Sequence, residues 1–202
     1  MSTPIEQSAK GSTVSRHAVT SVPIHPLLAA RHSTRAFQSD ASISDAQLAA
    51  MLEAARWAPS AGNSQPSRFI VGRHGGEVFE KIVAALNPGN QGWAKHASVL
   101  VVGVRVVSNE RGPLRTSAYD LGQSMAHLTV QALAEGLTVR QMGGFKPELI
   151  MSEFSLPDNT EPVAVAAIGF AGNPADLPDD LRGPDDSPRV RHGLDELVLD
   201  SD

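Results

Sequence analysis

Arg31-His32-Ser33-Thr34-Arg35 crowds two guanidinium groups, an imidazole and two hydroxyls into five residues. Donors of these types at this spacing can converge on one phosphate, with arginine offering two parallel hydrogen bonds to its oxygens. Further along, Ala58-Pro59-Ser60-Ala61-Gly62-Asn63-Ser64-Gln65-Pro66 is rich in small residues and carboxamides. Pro59 and Pro66 restrict the backbone at its two ends. Asn63 and Gln65 then present amides suited to a neutral heterocycle edge that shows both donors and acceptors, as a flavin pyrimidine does. Each segment also has a plain structural use. The first can be a solvated helix end, and the second a helix-to-strand connection in which Asn satisfies its own backbone.

Two further places carry chemistry of the same kind. Gln141-Met142-Gly143-Gly144 follows a predicted strand, and paired glycines let a backbone approach a planar ligand and aim an amide hydrogen at it, or simply make a tight turn. Arg189 and Arg191 form a second basic pair late in the chain. A glycine fingerprint for dinucleotides, a Walker A loop, metal-ligand histidine spacing and a G-x-S-x-G elbow are absent from the sequence, so nucleotide hydrolysis, zinc chemistry and serine hydrolysis lose support. No carboxylate or histidine pair stands out as a general acid or base, so no catalytic side chain and no metal ligand is assigned.

The elements that position these residues follow from periodicity. Leu27-Leu28-Ala29-Ala30 makes a short turn that runs into Arg31, and Ser44-Asp45-Ala46-Gln47 fits a capping box ahead of Leu48, Met51, Leu52 and Ala55 on one helical face. Pro59 ends that helix. A strand at Phe69-Ile70-Val71 and a helix carrying Val78, Phe79, Ile82, Val83 and Leu86 come next, closed by a turn at Asn87-Pro88-Gly89-Asn90. Val99 to Val107 is too apolar to have one wet face and reads as a central strand. Ser117 to Glu135 reads as a long buried helix stopped by Gly136. Strands at Leu137–Gln141 and Val163–Phe170 flank a short helix opened by Lys146-Pro147-Glu148. Gly172 to Pro188, rich in proline, glycine and aspartate, suits an extended surface strap. The class expected is α+β, with helices layered against a sheet.

Composition bounds the rest. The chain has 202 residues, 41% of them hydrophobic, enough for one sizeable core. Residues 1–24 are expected to be a flexible N-terminal arm and 25–202 a single domain. A formal charge of −5 and a pI near 5.8 supply no global basic field for nucleic acid or an anionic membrane. The partners expected are therefore small molecules. Cysteine is absent, and no secretory h-region or apolar stretch of the roughly 18 residues needed to cross a bilayer is visible. The expected location is cytoplasmic.

Taken together, R-H-S-T-R-A-F, a capped helix and A-R-W-A-P-S-A-G-N-S-Q-P-S-R-F-I-V resemble the opening of the nitroreductase family, FMN-dependent NAD(P)H oxidoreductases. The likeness covers Pro26 to Val71 closely. The later elements follow in the family's order: a central strand after Trp93, a long helix, a glycine-containing turn, a strand ending in Gly169 and a terminal R-x-R. The resemblance implies a three-layer α/β/α fold whose central sheet is mixed but mostly antiparallel, assembled as a homodimer with the flavin at the subunit interface. It implies that Arg31, His32, Ser33 and Arg35 hold the FMN phosphate, ribityl chain and pyrimidine, with Arg189 and Arg191 closing on the phosphate. Pro59, Ser60, Asn63 and Gln65 of one subunit would line the flavin held by the other. The turn at Gln141, Met142, Gly143 and Gly144 would lie over the flavin and donate an amide to N5. NADPH or NADH would supply the hydride, and a nitroaromatic, quinone or enone-like acceptor would take it in ping-pong turnover. Other flavin chemistry on the same scaffold (dehalogenation, dehydrogenation or flavin fragmentation) and a non-catalytic FMN-binding or storage role remain alternatives. Two departures from the family stand out: Ser67 occupies a position where many relatives have Trp, and Ser108 to Ser117 is too short for a large helical lid.

Overall fold

The computed structural model describes residues 16–182 and 189–201. In chain order it contains α1 (Pro26–Ala30), α2 (Asp45–Arg56), β1 (Ser67–Arg73), α3 (Glu77–Ala85), α4 (Pro88–Ala94) and β2 (Val99–Val106). A small hairpin, β3 (Ser108–Asn109) and β4 (Gly112–Pro113), precedes α5 (Ser117–Ala134), β5 (Thr138–Met142), α6 (Pro147–Glu153) and β6 (Thr160–Gly169). The helical turns α7 (Asp179–Arg182) and α8 (Leu194–Leu197) complete the set. Residues 1–15 of the expected arm and 183–188 of the expected strap lie outside the described residues.

The sheet runs β1-β2-β6-β5, and each of its three pairings is antiparallel. Side chains alternate across a strand, so β2 feeds two cores. Leu100, Val102 and Val104 join Phe79, Ile82, Trp93 and Ile150 under α3, α4 and α6. Val99 and Val101 join Met51, Leu121, Met125 and Leu128 under α2 and α5. Helices therefore cover both faces, which is the three-layer α/β/α arrangement, and the unbroken apolar run of β2 is the consequence of two covered faces. A bulge between Gly103 and Val104 lies opposite Pro162. That is where a residue without an amide hydrogen can sit inside a strand, and β6 accordingly begins at Thr160, ahead of the proline.

The capping box at Ser44 forms as expected: Ser44 Oγ accepts from the Gln47 amide at 3.1 Å and Gln47 Oε1 accepts from the Ser44 amide at 3.0 Å. Two other expectations are corrected. Asn87-Pro88-Gly89-Asn90 is not a turn but the start of α4, with Pro88 in its first turn. The fully buried Trp93 draws the chain back onto the core and makes the turn continue as a helix. Nor is the segment after Gly172 a purely extended strap. Asn173 caps a 3₁₀ turn at Pro174–Asp176, α7 follows, and Leu177 is buried. Among the described residues no helix is long and apolar enough to cross a membrane.

Candidate functional site

Arg31 is the C-cap of α1, its amide bonded to Leu27 O, so the helical turn delivers the basic segment as the sequence suggests. Arg31 Nη1 donates to Ser33 Oγ at 3.3 Å, and His32 Nδ1 donates to Ala30 O at 3.1 Å. That bond leaves Nε2 of His32 as the ring's free position. Arg189 crosses from the far end of the chain and donates to Ala29 O at 3.0 Å and also to Arg16 O. Arg191 lies in the same cavity, of about 800 Å³, with Arg31, Arg189 and His192. The cavity's other walls are largely apolar, among them Val22, Ile24, Leu28, Leu194 and Leu197, and among the described residues its lining contains one carboxylate, Asp195.

The electrostatics of this cluster are one-sided. Burial, followed by the Arg191 charge, pushes Arg31 below the ordinary guanidinium value. Burial also lowers His32, reinforced by Arg16, Arg189 and Arg31 and opposed by its bond to Ala30. Arg189 is lowered by burial first and then by Arg31, Arg191 and Arg16. Among the described residues, the charged neighbours that shift these three groups are arginines. Such a concentration of like charge costs the apoprotein free energy and is relieved by an anion.

Arg35 points the other way along the segment. Its Nη1 donates to Leu181 O at 3.3 Å, while its Nε is buried without a hydrogen-bond partner among the described residues. A buried guanidinium donor left unpaired is costly, so the position suits an additional acceptor. Ser33 is held from behind, its carbonyl receiving Arg140 Nη1 at 3.1 Å, with the Arg140 guanidinium 5.2 Å from the centre of the Trp93 ring.

The Pro59 loop is a separate construction. Gly62, Asn63 and Gln65 all have positive φ, at 57°, 55° and 47°. The last two are not glycine, so the loop stores strain of about 1–3 kcal/mol per residue. Asp120 on α5, 2% exposed, offsets it by accepting from the Ala61 amide at 3.3 Å and from Thr116 Oγ1 at 3.2 Å. Ser60 Oγ accepts from the Gln65 amide at 3.0 Å. The Asn63 side chain is exposed and makes no hydrogen bond among the described residues. Pro59, Ser60 and Gln65 line a cavity of about 280 Å³ with Arg56, Arg68 and Asp120. It shares no lining residue with the arginine cavity. Within one chain the two expected halves of the site are not brought together.

The glycine turn starts later than expected. Gln141 and Met142 belong to β5, Met142 is buried, and Gln141 Nε2 donates back to α5, to Thr129 Oγ1 at 3.0 Å and Met125 O at 3.3 Å. The Met142 side chain is thus taken by the core and that of Gln141 by its bonds to α5. Gly143 faces open space where a Cβ would lie, whereas a Cβ on Gly144 would stand 2.7 Å from Asn90 Nδ2. Sequence reasoning missed Arg140, Asp120 and the α4 residues. A signal existed for Asp120, because Ser117, Asp120 and Ser124 recur at helical spacing as a buried polar stripe on α5.

Known proteins resemble this chain in sequence and fold. Residues 28–101 match the model of the nitroreductase family. An uncharacterized 15.4 kDa protein of Mycolicibacterium smegmatis is 33% identical over 140 residues, covering 65% of this chain and 94% of that protein. A putative NADH dehydrogenase/NAD(P)H nitroreductase of Streptomyces coelicolor is 32% identical over 163 residues, covering 68% and 78%. Among solved structures, an oxidoreductase containing FMN superposes with a TM-score of 0.86 at 33% identity, covering 94% of this chain and 98% of its own.

Proposed function

The chain belongs to the nitroreductase family, and from that premise we propose that it is an FMN-dependent NAD(P)H oxidoreductase acting on small organic acceptors. The observation that carries this reading is the convergence of Arg31, Arg189 and Arg191 on one cavity beside His32, a donor set that suits an anion of phosphate type. The unpartnered Arg35 Nε fits the same cofactor, since it asks for an acceptor beyond the phosphate end of the segment. When bound, FMN would supply the redox chemistry, linking NADPH or NADH as electron donor to a nitroaromatic, quinone or enone-like acceptor in ping-pong turnover.

The protein's part is to bind and to aim. Arg31, Ser33 and Arg191 hold the phosphate, and Arg189 fastens residues 16–30 over it. His32 and Arg35 reach the ribityl chain and the pyrimidine. Gly143 leaves open space for the ring system, and a backbone amide of the turn stabilises charge at N5. The Pro59 loop completes the pocket from a second copy of the chain, with the Asn63 carboxamide on the heterocycle edge. The active protein is on this reading a cytoplasmic homodimer, its FMN-binding domain spanning residues 25–202 behind an N-terminal arm.

Titration of the apoprotein with FMN and with riboflavin tests the reading. A charge-assisted bond to phosphate contributes about 1.5–3 kcal/mol, so FMN is expected to bind at least about tenfold more tightly than riboflavin, with the gap closing at high salt. Equal affinity for the two, or none for either, contradicts it.

A further inference from the structure

The smaller cavity, of about 280 Å³, has a chemistry of its own. Side chains alternate across a strand, so Ser67 of β1 lies on the same face as Phe69 and Val71, which pack against the core under α2 and α5. Ser67 is the small residue in that row, and the cavity lies beside it, between β1, the end of α2 and the first turns of α5. Leu52, Ala55, Pro59 and Phe69 give it apolar walls. A dry cavity of about 150 Å³ already takes up benzene, so one substituted aromatic ring fits here.

Two charged groups of the lining are open to a ligand. Asp120 is the buried one, 2% exposed. Its Oδ2 accepts from the Ala61 amide and Thr116 Oγ1, while its Oδ1 accepts no hydrogen bond among the described residues. Arg68 is the exposed one. Its Nη1 donates to Gln65 O at 2.9 Å and Ser67 O at 2.8 Å, which leaves Nη2 and Nε without a partner among the described residues. Neither Asp120 nor Arg68 forms an ion pair among the described residues. Arg56, also in the lining, is already bound to Glu53. A buried carboxylate with an unused oxygen favours a ligand that brings a hydrogen-bond donor. The guanidinium disfavours a cationic donor and favours a carboxylate.

A neutral hydroxyl at one end of a ring and a carboxylate at the other satisfy both groups. We propose that this cavity is a binding site for a small phenolic carboxylate, its ring against Leu52, Ala55 and Phe69, its hydroxyl donating to Asp120 Oδ1 and its carboxylate on Arg68. All of these residues belong to one chain, so the site does not depend on the flavin reading above.

Calorimetric titration of the protein, with and without FMN, tests the site with para-hydroxybenzoate, benzoate and phenol. A hydrogen bond to a charged group is strong enough that para-hydroxybenzoate is expected to bind about tenfold to a hundredfold more tightly than either of the others. Asp120→Asn is expected to remove its advantage over benzoate. Arg68→Gln is expected to weaken para-hydroxybenzoate and benzoate alike and to leave phenol where it was. Ser67→Phe fills the cavity and is expected to abolish binding of all three, and it supplies the readout should Asp120→Asn fail to fold. No binding of para-hydroxybenzoate, equal affinity for the three compounds, or unchanged affinity in Ser67→Phe overturns the proposal. Displacement of FMN by para-hydroxybenzoate overturns it as well, since the molecule would then lie in the flavin's own pocket. A protein that refuses FMN and still binds para-hydroxybenzoate with this preference contradicts the flavin reading and upholds the site.

Discussion

Burial and the neighbouring Arg191 both act against the charge of Arg31, a cost that a bound phosphate would offset on the proposed reading. Arg31→Ala is expected to weaken FMN binding by about 1.5–3 kcal/mol. The apoprotein's thermal midpoint at low salt is expected not to fall. Fluorescence titration and a melting curve measure the two, and unchanged FMN affinity would remove Arg31 from the site. His32 gives a pH test. Its folded value lies below the ordinary one, so in the window between them the unfolded chain binds more protons and stability rises with pH. The apoprotein should therefore lose stability as pH falls below about 6.5. A phosphate held beside it by Arg31 and Arg191 favours the charged ring, so FMN is expected to raise the His32 value in an NMR titration. No rise would mean that the phosphate does not bind next to His32. At this scale the basic segment and the R-x-R pair were legible because several charges stood together. Arg140 was not, being a lone cation inside an apolar strand, where nothing in the sequence says that Trp93 and the Ser33 carbonyl await it.

Elements position these residues through a few close approaches. A Cβ on Gly72 would come within 2.6 Å of the Phe79 backbone, so β1 and α3 pack main chain to main chain. Gly72→Ala is expected to destabilise by at least the cost of ordinary overpacking, about 1–3 kcal/mol, as read in chemical denaturation. A neutral result would mean that α3 can shift without consequence. In the Pro59 loop Asn63→Gly suits the positive φ of 55° equally well. It should leave stability near wild type and weaken FMN binding through the lost carboxamide. Most elements were legible: the capping box at Ser44, the two-faced strand at Val99 and the helix from Ser117 to Ala134 all carry strong periodicity. Helix α4 was hidden because Asn-Pro-Gly-Asn is turn chemistry locally and becomes helical only through the burial of Trp93, a tertiary effect. The helical turns after Gly172 were obscured by their proline and aspartate content for the same reason.

For the whole molecule, the separation of the arginine cavity from the Pro59 cavity is the main result. On the proposed reading each is a half-site, and the apolar walls of the larger one, with Val22, Leu28, Leu194 and Leu197 substantially exposed, suit contact with a second copy. Mixed dimers test this directly. Combining Arg31→Ala and Asn63→Gly chains should create one intact site per mixed dimer, with wild-type FMN affinity there. Unrescued binding would put both halves of the site in one chain by a route the fold does not offer. The order and packing of this architecture were legible from the succession of elements. The sharing of a site between copies was implied by family resemblance alone, because hydrophobic periodicity reports which face is buried and not whether its cover belongs to the same chain.

The central claim is that the arginine cluster and the glycine turn hold an FMN reducible by a nicotinamide. The most direct measurement is the visible spectrum of the purified, FMN-loaded protein before and after anaerobic NADPH or NADH. The account predicts a flavin spectrum that bleaches on addition of the nicotinamide and returns when a quinone or nitroaromatic is admitted. A bound flavin that stays oxidised with both nicotinamides, or a protein that refuses FMN altogether, would contradict it.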